Sequence, residues 1–382
     1  MINPLFERFY IKRINITRPL KPNKRTYKRL LNYCISKGYL TNNSKFVRKL
    51  ENDLSFKYDY DPLILTSNGT VALQVLLSSL KKDQNNLEII VPSYTFVATI
   101  SAIINSGFIP KFVDVKKENG TIDPKKVQDL INNKTKAIMG VHLFGNPCDH
   151  ISLEALARKN SLKLFFDASH AFEVRQNNKP IINYGDGSTL SFHATKVFTT
   201  GEGGAIVSSN MDIINFSRNF INHGIDNESV VSQIGCNGKM SELNAIYGLS
   251  TIDIIQKAIK KRKNIYESYI RFFLKNNIKF EKILDTGSCT HNYSYAPFCF
   301  ENKEIRDGLY NYLRDNKIYV RKYFSPLVSE FEPFKKYLTK DTDLSVSKYF
   351  ADHILCLPIQ PYLSYIEMNY IFRKINSFFK YS

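Results

Sequence analysis

The chain has 382 residues, 43% of them hydrophobic, and a formal net charge of +18. That length and apolar share suit one large domain with a smaller one beside it, built on a sizeable core. The lysines come as scattered pairs, such as Lys116-Lys117, Lys125-Lys126 and Lys260-Lys261, without a nucleic-acid motif, which argues against a DNA or RNA partner and leaves codon bias or a polyanionic small substrate as the cause.

Taken in chain order, Met1 to Arg13 mixes charge with aromatics and lacks the apolar run of a secretory leader. Strands are predicted at 63–66, 88–91, 111–115, 137–143, 162–166, 188–192 and 205–208. Helices are predicted between several of them, at 71–80, 97–106, 124–131 and 152–160. Asp123 can cap the third helix, with Pro124 at its first position. The most apolar stretch, 89–110, is interrupted by Pro92, Ser93, Asn105 and Gly107, too often for a membrane span. Strands alternating with helices predict an α/β fold with a mostly parallel sheet covered on both faces. After Gly235 the pattern changes. Residues 241–277 read as one or two long amphipathic helices with a basic stretch at 257–263. Strands follow at 293–300 and 317–321, then helices at 303–316 and 365–379. The expected division is an N-terminal segment with a large domain over 1–250 and a small C-terminal domain over 251–382, meeting inside the long helix rather than at a flexible linker. Cys34, Cys148, Cys236, Cys289, Cys299 and Cys356 show no CxxC spacing. They predict no zinc site and no disulfide framework, and they fit a reducing cytoplasm.

Three stretches carry chemistry. Ser67-Asn68-Gly69-Thr70 follows a predicted strand and opens a predicted helix, where free backbone N–H groups and the helix dipole can hold a phosphate. Gly69 would let the backbone approach closely. No Gly-Lys-Ser/Thr follows, so this is not a Walker A loop, and a plain capped helix start fits it too. Asp167 ends a hydrophobic strand in Phe165-Phe166-Asp167-Ala168-Ser169-His170. There it could pair with a protonated pyridine nitrogen or cap a helix. Lys196, in Ser191-Phe192-His193-Ala194-Thr195-Lys196, precedes the glycine-rich turn Thr199 to Gly204. It could form a Schiff base with a carbonyl cofactor or be an exposed turn lysine.

Phosphate cradle, acid and lysine follow one another on successive strand ends. In that order the chain resembles the DegT/DnrJ/EryC1/StrS family of sugar aminotransferases. The matching segments are SNGTVAL (67–73), PSYTFVA (92–98), 112–114 with 122–124, HLFGNPC (142–148), DASHAF (167–172), SFHATKVFTTGEGG (191–204) and GCNGKMSELNA (235–245). The resemblance implies a pyridoxal 5′-phosphate (PLP) enzyme of transferase fold type I, aspartate-aminotransferase-like, which passes through the pyridoxamine 5′-phosphate form in two half-reactions. It implies that Lys196 attaches the cofactor and shuttles protons, that Asp167 pairs with the pyridine nitrogen, that His170 lies near the ring hydroxyl and that Phe96 stacks on the ring. Gly69, Thr70, Val71 and Ser191 would hold the phosphate. Asn237 would reach that phosphate from a neighbouring subunit, so the site would be complete only in a homodimer. A subset of relatives aminates C4 of a dTDP-linked 4-keto-6-deoxyglucose, with glutamate as donor, for surface polysaccharides. Residues 39–43 with 45–47 resemble their substrate loop, through Tyr39 and Thr41. Residues 320–327 resemble another of their segments and suggest Arg321, Lys322 and Tyr323 as substrate contacts, the two cations suiting a diphosphate or simply solvation. Val328 stands where many members carry histidine. Amination at C3, or of a GDP- or UDP-linked sugar, is the alternative. A related dehydratase would replace the lysine by histidine, and a purely regulatory descendant would have lost Lys196, Asp167 or the phosphate turn.

Overall fold

Apolar runs of four to seven residues separated by helices build one central sheet in the computed structural model, which describes residues 13–80, 85–339 and 342–381. Its strands are β1 (Leu63–Thr66), β2 (Glu88–Pro92), β3 (Ile109–Val113), β4 (Thr135–Val141), β5 (Lys163–Asp167), β8 (Gly187–Ser191) and β9 (Gly204–Val207), in the order β1-β9-β8-β5-β4-β2-β3. Two short hairpins, β6 (Arg175–Gln176) with β7 (Lys179–Pro180) and β10 (Ile225–Asn227) with β11 (Val230–Val231), lie outside it. Within the sheet only β9 runs against its neighbours. Parallel strands are buried on both faces, hence their continuous apolar sequences. Along β2, Ile89 and Val91 face the helices Gly69–Ser78 and Val97–Asn105, while Ile90 faces the helices Pro124–Leu130 and His150–Lys159. The predicted start at Asp123 forms, its carboxylate accepting the Lys125 amide at 2.9 Å with Pro124 in the first turn.

Because β1, β2, β4, β5 and β8 point the same way, Thr66, Pro92, Val141, Asp167 and Ser191 all end at one edge of the sheet. Asp167 sits in register with Val141 on one side and Thr189 on the other. The loops that follow these strands converge there, as ligand-binding loops do in open α/β sheets.

The second sheet departs from the sequence expectation. It pairs β12 (Glu281–Lys282), β13 (Pro297–Cys299) and β14 (Ile354–Cys356). The run 317–321, predicted as a strand, makes only isolated bridges, Ile318 to Ile14 and Arg321 to Cys356. It alternates apolar and polar residues like a strand, but its two neighbours each touch it at a single point. The third strand is supplied by 354–356 instead. The N-terminal segment also crosses the expected division. Ile14 is buried among the C-terminal core residues, donating to the Lys317 carbonyl at 3.0 Å and accepting from the Tyr319 amide at 2.8 Å. The stretch 241–277 forms two helices, Glu242–Leu249 and the longer Ile255–Lys275, separated by a 3-10 turn at Ile252–Ile254. Among the described residues no helix is long and apolar enough to cross a membrane.

One carboxylate ties the layers together. Asp114, just past β3 and fully buried, accepts from the Ser347 amide at 2.7 Å, the Val346 amide at 3.0 Å, the Ser347 hydroxyl and Lys126 Nζ at 3.0 Å. It thereby caps the helix Ser345–His353 from another part of the chain.

Candidate active site

The convergent strand ends enclose a cavity of about 420 Å³ whose walls include Gly69, Thr70, Phe96, Asp167, His170, Ser191 and Lys196, a size within the range of small-molecule sites.

At one end lies the N-terminus of the helix Gly69–Ser78. Asn68 caps it by accepting the Val71 amide at 2.9 Å, and the first intrahelical bond runs from the Ala72 amide to the Asn68 carbonyl. The amide of Val71 is therefore spent on the cap, which takes it out of the phosphate set suggested by resemblance. The Gly69 and Thr70 amides precede the first helical bond and have no acceptor within the helix. A Cβ at Gly69 would lie 2.9 Å from Ser191 Cβ, so glycine is what lets the Ser191 hydroxyl stand beside that helix end. Gly204 serves the same close approach from β9, since its Cβ would meet the Asn68 backbone at 2.6 Å.

Asp167 closes the far end and is only 6% exposed. Its Oδ2 accepts from the Thr99 hydroxyl at 2.7 Å and its Oδ1 from the Ser169 amide at 3.0 Å. Thr99 is bonded in turn to the Thr95 hydroxyl at 3.1 Å. Two donors aimed at a buried carboxylate fix its orientation.

Lys196 reaches into the same space, its Nζ 3.4 Å from Tyr295 Oη. Burial pushes its pKa down to about 8, against the opposing pull of the Asp167 carboxylate. His170 is buried, with Nδ1 accepting the Phe144 amide at 3.1 Å. Its proton therefore sits on Nε2, and burial, with the Lys196 charge adding to it, holds the imidazole well below its usual pKa and neutral. Phe96 is 52% exposed at the start of the helix Val97–Asn105, with its ring on the cavity wall, 6.0 Å from Phe324.

The remaining expected residues divide. Arg321 and Tyr323 line the cavity and also a neighbouring groove of about 620 Å³ walled by Phe96, Tyr310, Phe324, Phe331 and Phe334. Lys322 faces only that groove, where Asp307 at 3.2 Å already neutralises it and the Tyr310 ring lies 4.7 Å away. Tyr39 and Thr41 are exposed and do not reach the cavity of their own chain. Tyr39 instead borders a separate pocket with Lys45, Arg48 and Glu242, because the Glu242 amide anchors the Leu40 carbonyl at 3.0 Å. Asn237 is exposed as well, bridged to Asn222 and off the cavity wall. Sequence reasoning missed Thr99 and Tyr295. Thr99 left a signal, standing four residues after Thr95. Tyr295 left none, being 99 residues from Lys196 and brought to it only by the packing of the second sheet.

A helix N-terminus beside a serine hydroxyl, a buried carboxylate and a desolvated lysine thus meet at one side of one sheet, in a chain that resembles known proteins along most of its length. The sequence pattern of the DegT/DnrJ/EryC1/StrS aminotransferase family matches residues 23–376. The chain is 34% identical, over 94% of its length and 97% of the relative's, to the dTDP-4-amino-4,6-dideoxy-D-glucose transaminase of Shigella dysenteriae. It is 30% identical, with coverage of 94% and 97%, to the GDP-perosamine synthase of Vibrio cholerae. The crystal structure of DesI in the presence of its TDP-sugar product superposes with a TM-score of 0.89 at 27% identity, covering 96% of this chain and 93% of that one. With the motif order, the sheet and three whole-length likenesses agreeing, the chain belongs to the DegT/DnrJ/EryC1/StrS family of PLP-dependent sugar aminotransferases.

Proposed function

We propose that this enzyme transfers the amino group of L-glutamate to C4 of dTDP-4-keto-6-deoxy-D-glucose, giving dTDP-4-amino-4,6-dideoxy-D-glucose for a surface polysaccharide. The observation that carries the reading is the convergence of Lys196, Asp167, His170 and the Gly69–Ser191 cradle on one cavity. The sugar and the nucleotide are inferred from the Shigella relative. The aromatic groove beyond Arg321 supports a substrate with a flat base and an anionic linker.

The residues fit pyridoxal phosphate at three points. The Gly69 and Thr70 amides with the Ser191 hydroxyl suit its phosphate, Asp167 suits a protonated ring nitrogen, and Lys196 suits its aldehyde. When bound, the cofactor supplies an electron sink that lets a proton leave the carbon carrying the amino group. The chain's own part is placement and proton traffic. Lys196, with a pKa of about 8, is neutral in about a tenth of molecules at pH 7 and can both take and return a proton there. His170 offers Nε2–H as a donor that does not change charge near neutrality. Thr99 and Ser169 keep the Asp167 carboxylate facing the cavity.

A homodimer belongs to this reading. Ile225, Val230, Val231 and Ile234 on one surface segment, and Tyr39, Leu40 and Leu243 near the N-terminal loop, are exposed apolar side chains that suit burial against a second copy. That copy could then present Tyr39, Thr41 and Asn237 to the neighbouring cavity. The unpatterned cysteines support a cytoplasmic place for the reaction.

The test incubates purified protein with glutamate and dTDP-, GDP- or UDP-linked keto-sugars, identifying products by mass and NMR. Expected is amination at C4 of the dTDP sugar. Preference for a GDP sugar, as the Vibrio relative's name suggests, would replace the substrate and keep the reaction. In parallel, borohydride reduction of the loaded protein should leave the cofactor's mass on the peptide holding Lys196, and Lys196→Ala should abolish it together with turnover.

A further inference from the structure

Tyr295 stands where the second sheet meets the cavity, just before β13, and is 9% exposed. Its hydroxyl lies 3.4 Å from Lys196 Nζ. Its ring lies 4.6 Å from the His170 ring, tilted by 59°, and meets Tyr323 edge-on at 5.5 Å. The segment that carries it is bolted to the loop after β5. Asn292 Nδ2 donates to the His170 carbonyl at 2.9 Å and to the Phe172 carbonyl at 2.7 Å. The Ser294 hydroxyl donates to the Phe144 and His170 carbonyls, both at 3.0 Å. Behind it, the buried Arg262 guanidinium donates to the Ser294 carbonyl at 3.3 Å and the Ile359 carbonyl at 3.1 Å. The phenol is thus held by a hydrogen-bonded backbone and by packed rings, while the lysine it meets has four flexible methylenes.

We infer that Tyr295 is a positioning residue for Lys196: its phenol oxygen accepts a hydrogen bond from the ε-amine whenever that amine is free, and so parks it beside His170 within reach of the reacting carbon. The inference rests on the reading of Lys196 as the cofactor's attachment point. An ammonium has three donors and no acceptor, and desolvation makes each lost acceptor costly. A long free side chain would otherwise spread over many rotamers. In a cycle that alternately attaches and frees this amine, a fixed resting place keeps the proton donor and acceptor aligned.

The experiment uses protein freed of cofactor and follows reductive methylation of individual lysines by peptide mass spectrometry between pH 6 and 10. Exposed Lys279 in the same sample serves as internal reference. In Tyr295→Phe the ammonium of Lys196 loses its acceptor, so the midpoint of its labelling should move down by about one pH unit, a tenfold change in proton affinity, while Lys279 stays put. In the loaded enzyme, kcat should fall about tenfold with KM for glutamate nearly unchanged. An unmoved Lys196 midpoint overturns the inference. If Tyr295→Phe does not fold, Tyr295→Leu is judged by the same shift. Should wild-type protein load no cofactor on Lys196, the reading of the site fails. A wild type that loads normally beside a Tyr295→Phe profile identical to it removes only the role of Tyr295.

Discussion

Asp167 depends on Thr99, a neighbour that was not among the expected site residues. The Thr99 hydroxyl gives one of its two bonds, at 2.7 Å, and a bond to a buried charge contributes about 1.5–3 kcal/mol. Thr99→Val should therefore weaken cofactor binding by about 10- to 100-fold in equilibrium dialysis, with Thr99→Ser close to wild type. Equal affinities for all three would show that the Ser169 amide holds Asp167 unaided. Lys196 sets a pH dependence of its own. Only the neutral amine attacks a carbonyl, and burial has lowered its pKa to about 8. The rate at which cofactor-free protein takes up pyridoxal phosphate should rise with pH and level off above about 8. A flat stopped-flow profile from pH 6 to 9 would contradict the desolvated placement.

At the scale of elements, the cavity depends on how helices are started and anchored. The helix Gly69–Ser78 presents two amides to the cavity because Asn68 has consumed the third, so cap and cradle are one arrangement. Asp114 does comparable work at a distance, holding the first turn of Ser345–His353 against the large sheet. Asp114→Ala would strand two amides and leave Lys126 with Asp343 as its partner. Removing one member of such a buried set costs about 3 kcal/mol or more. At roughly 2–4 °C per kcal/mol for larger domains, the melting temperature should drop by about 6–12 °C. Calorimetry showing less than a degree of change would mean that helix is anchored elsewhere.

Across the whole molecule, buried histidines set an acid limit. Burial pushes His142 down to about 3 and His291 to about 4. Both are neutral in the fold and would take protons in the unfolded chain below about pH 6.5. The unfolded state then binds more protons, so stability is whole above pH 6.5 and is lost as pH falls toward 4. At pH 5 the two together should remove about 4 kcal/mol, read from urea unfolding at pH 7.5 and pH 5. Equal stabilities at the two pH values would rule this out. The proposed dimer offers a test at the same scale. If Asn237 serves the neighbouring cavity, Lys196→Ala and Asn237→Ala chains mixed and reassembled should regain about a quarter of wild-type turnover, since half the dimers carry one intact site. No recovery in verified heterodimers would place Asn237 outside the shared site.

The sequence by itself determined what depends on neighbours along the chain. Strand and helix periodicity, the Asp123–Pro124 start and the order of phosphate turn, acid and lysine are local patterns, and the structure keeps them in place. The family could be read from the same motifs, because Gly69, Asp167 and Lys196 each stand at or a few residues past a strand end of the one central sheet. Only the tertiary structure decided which distant residues meet. The run 317–321 has strand composition but lacks a continuous partner, so 354–356 completes the second sheet. Lys322 is claimed by Asp307, Val71 by the Asn68 cap, and Tyr39 by a pocket of its own. Thr99 and Tyr295 enter the site through packing across 68 and 99 residues of chain. Periodicity encodes which face of an element is buried; it carries no record of which side chain lies on the other side of the cavity.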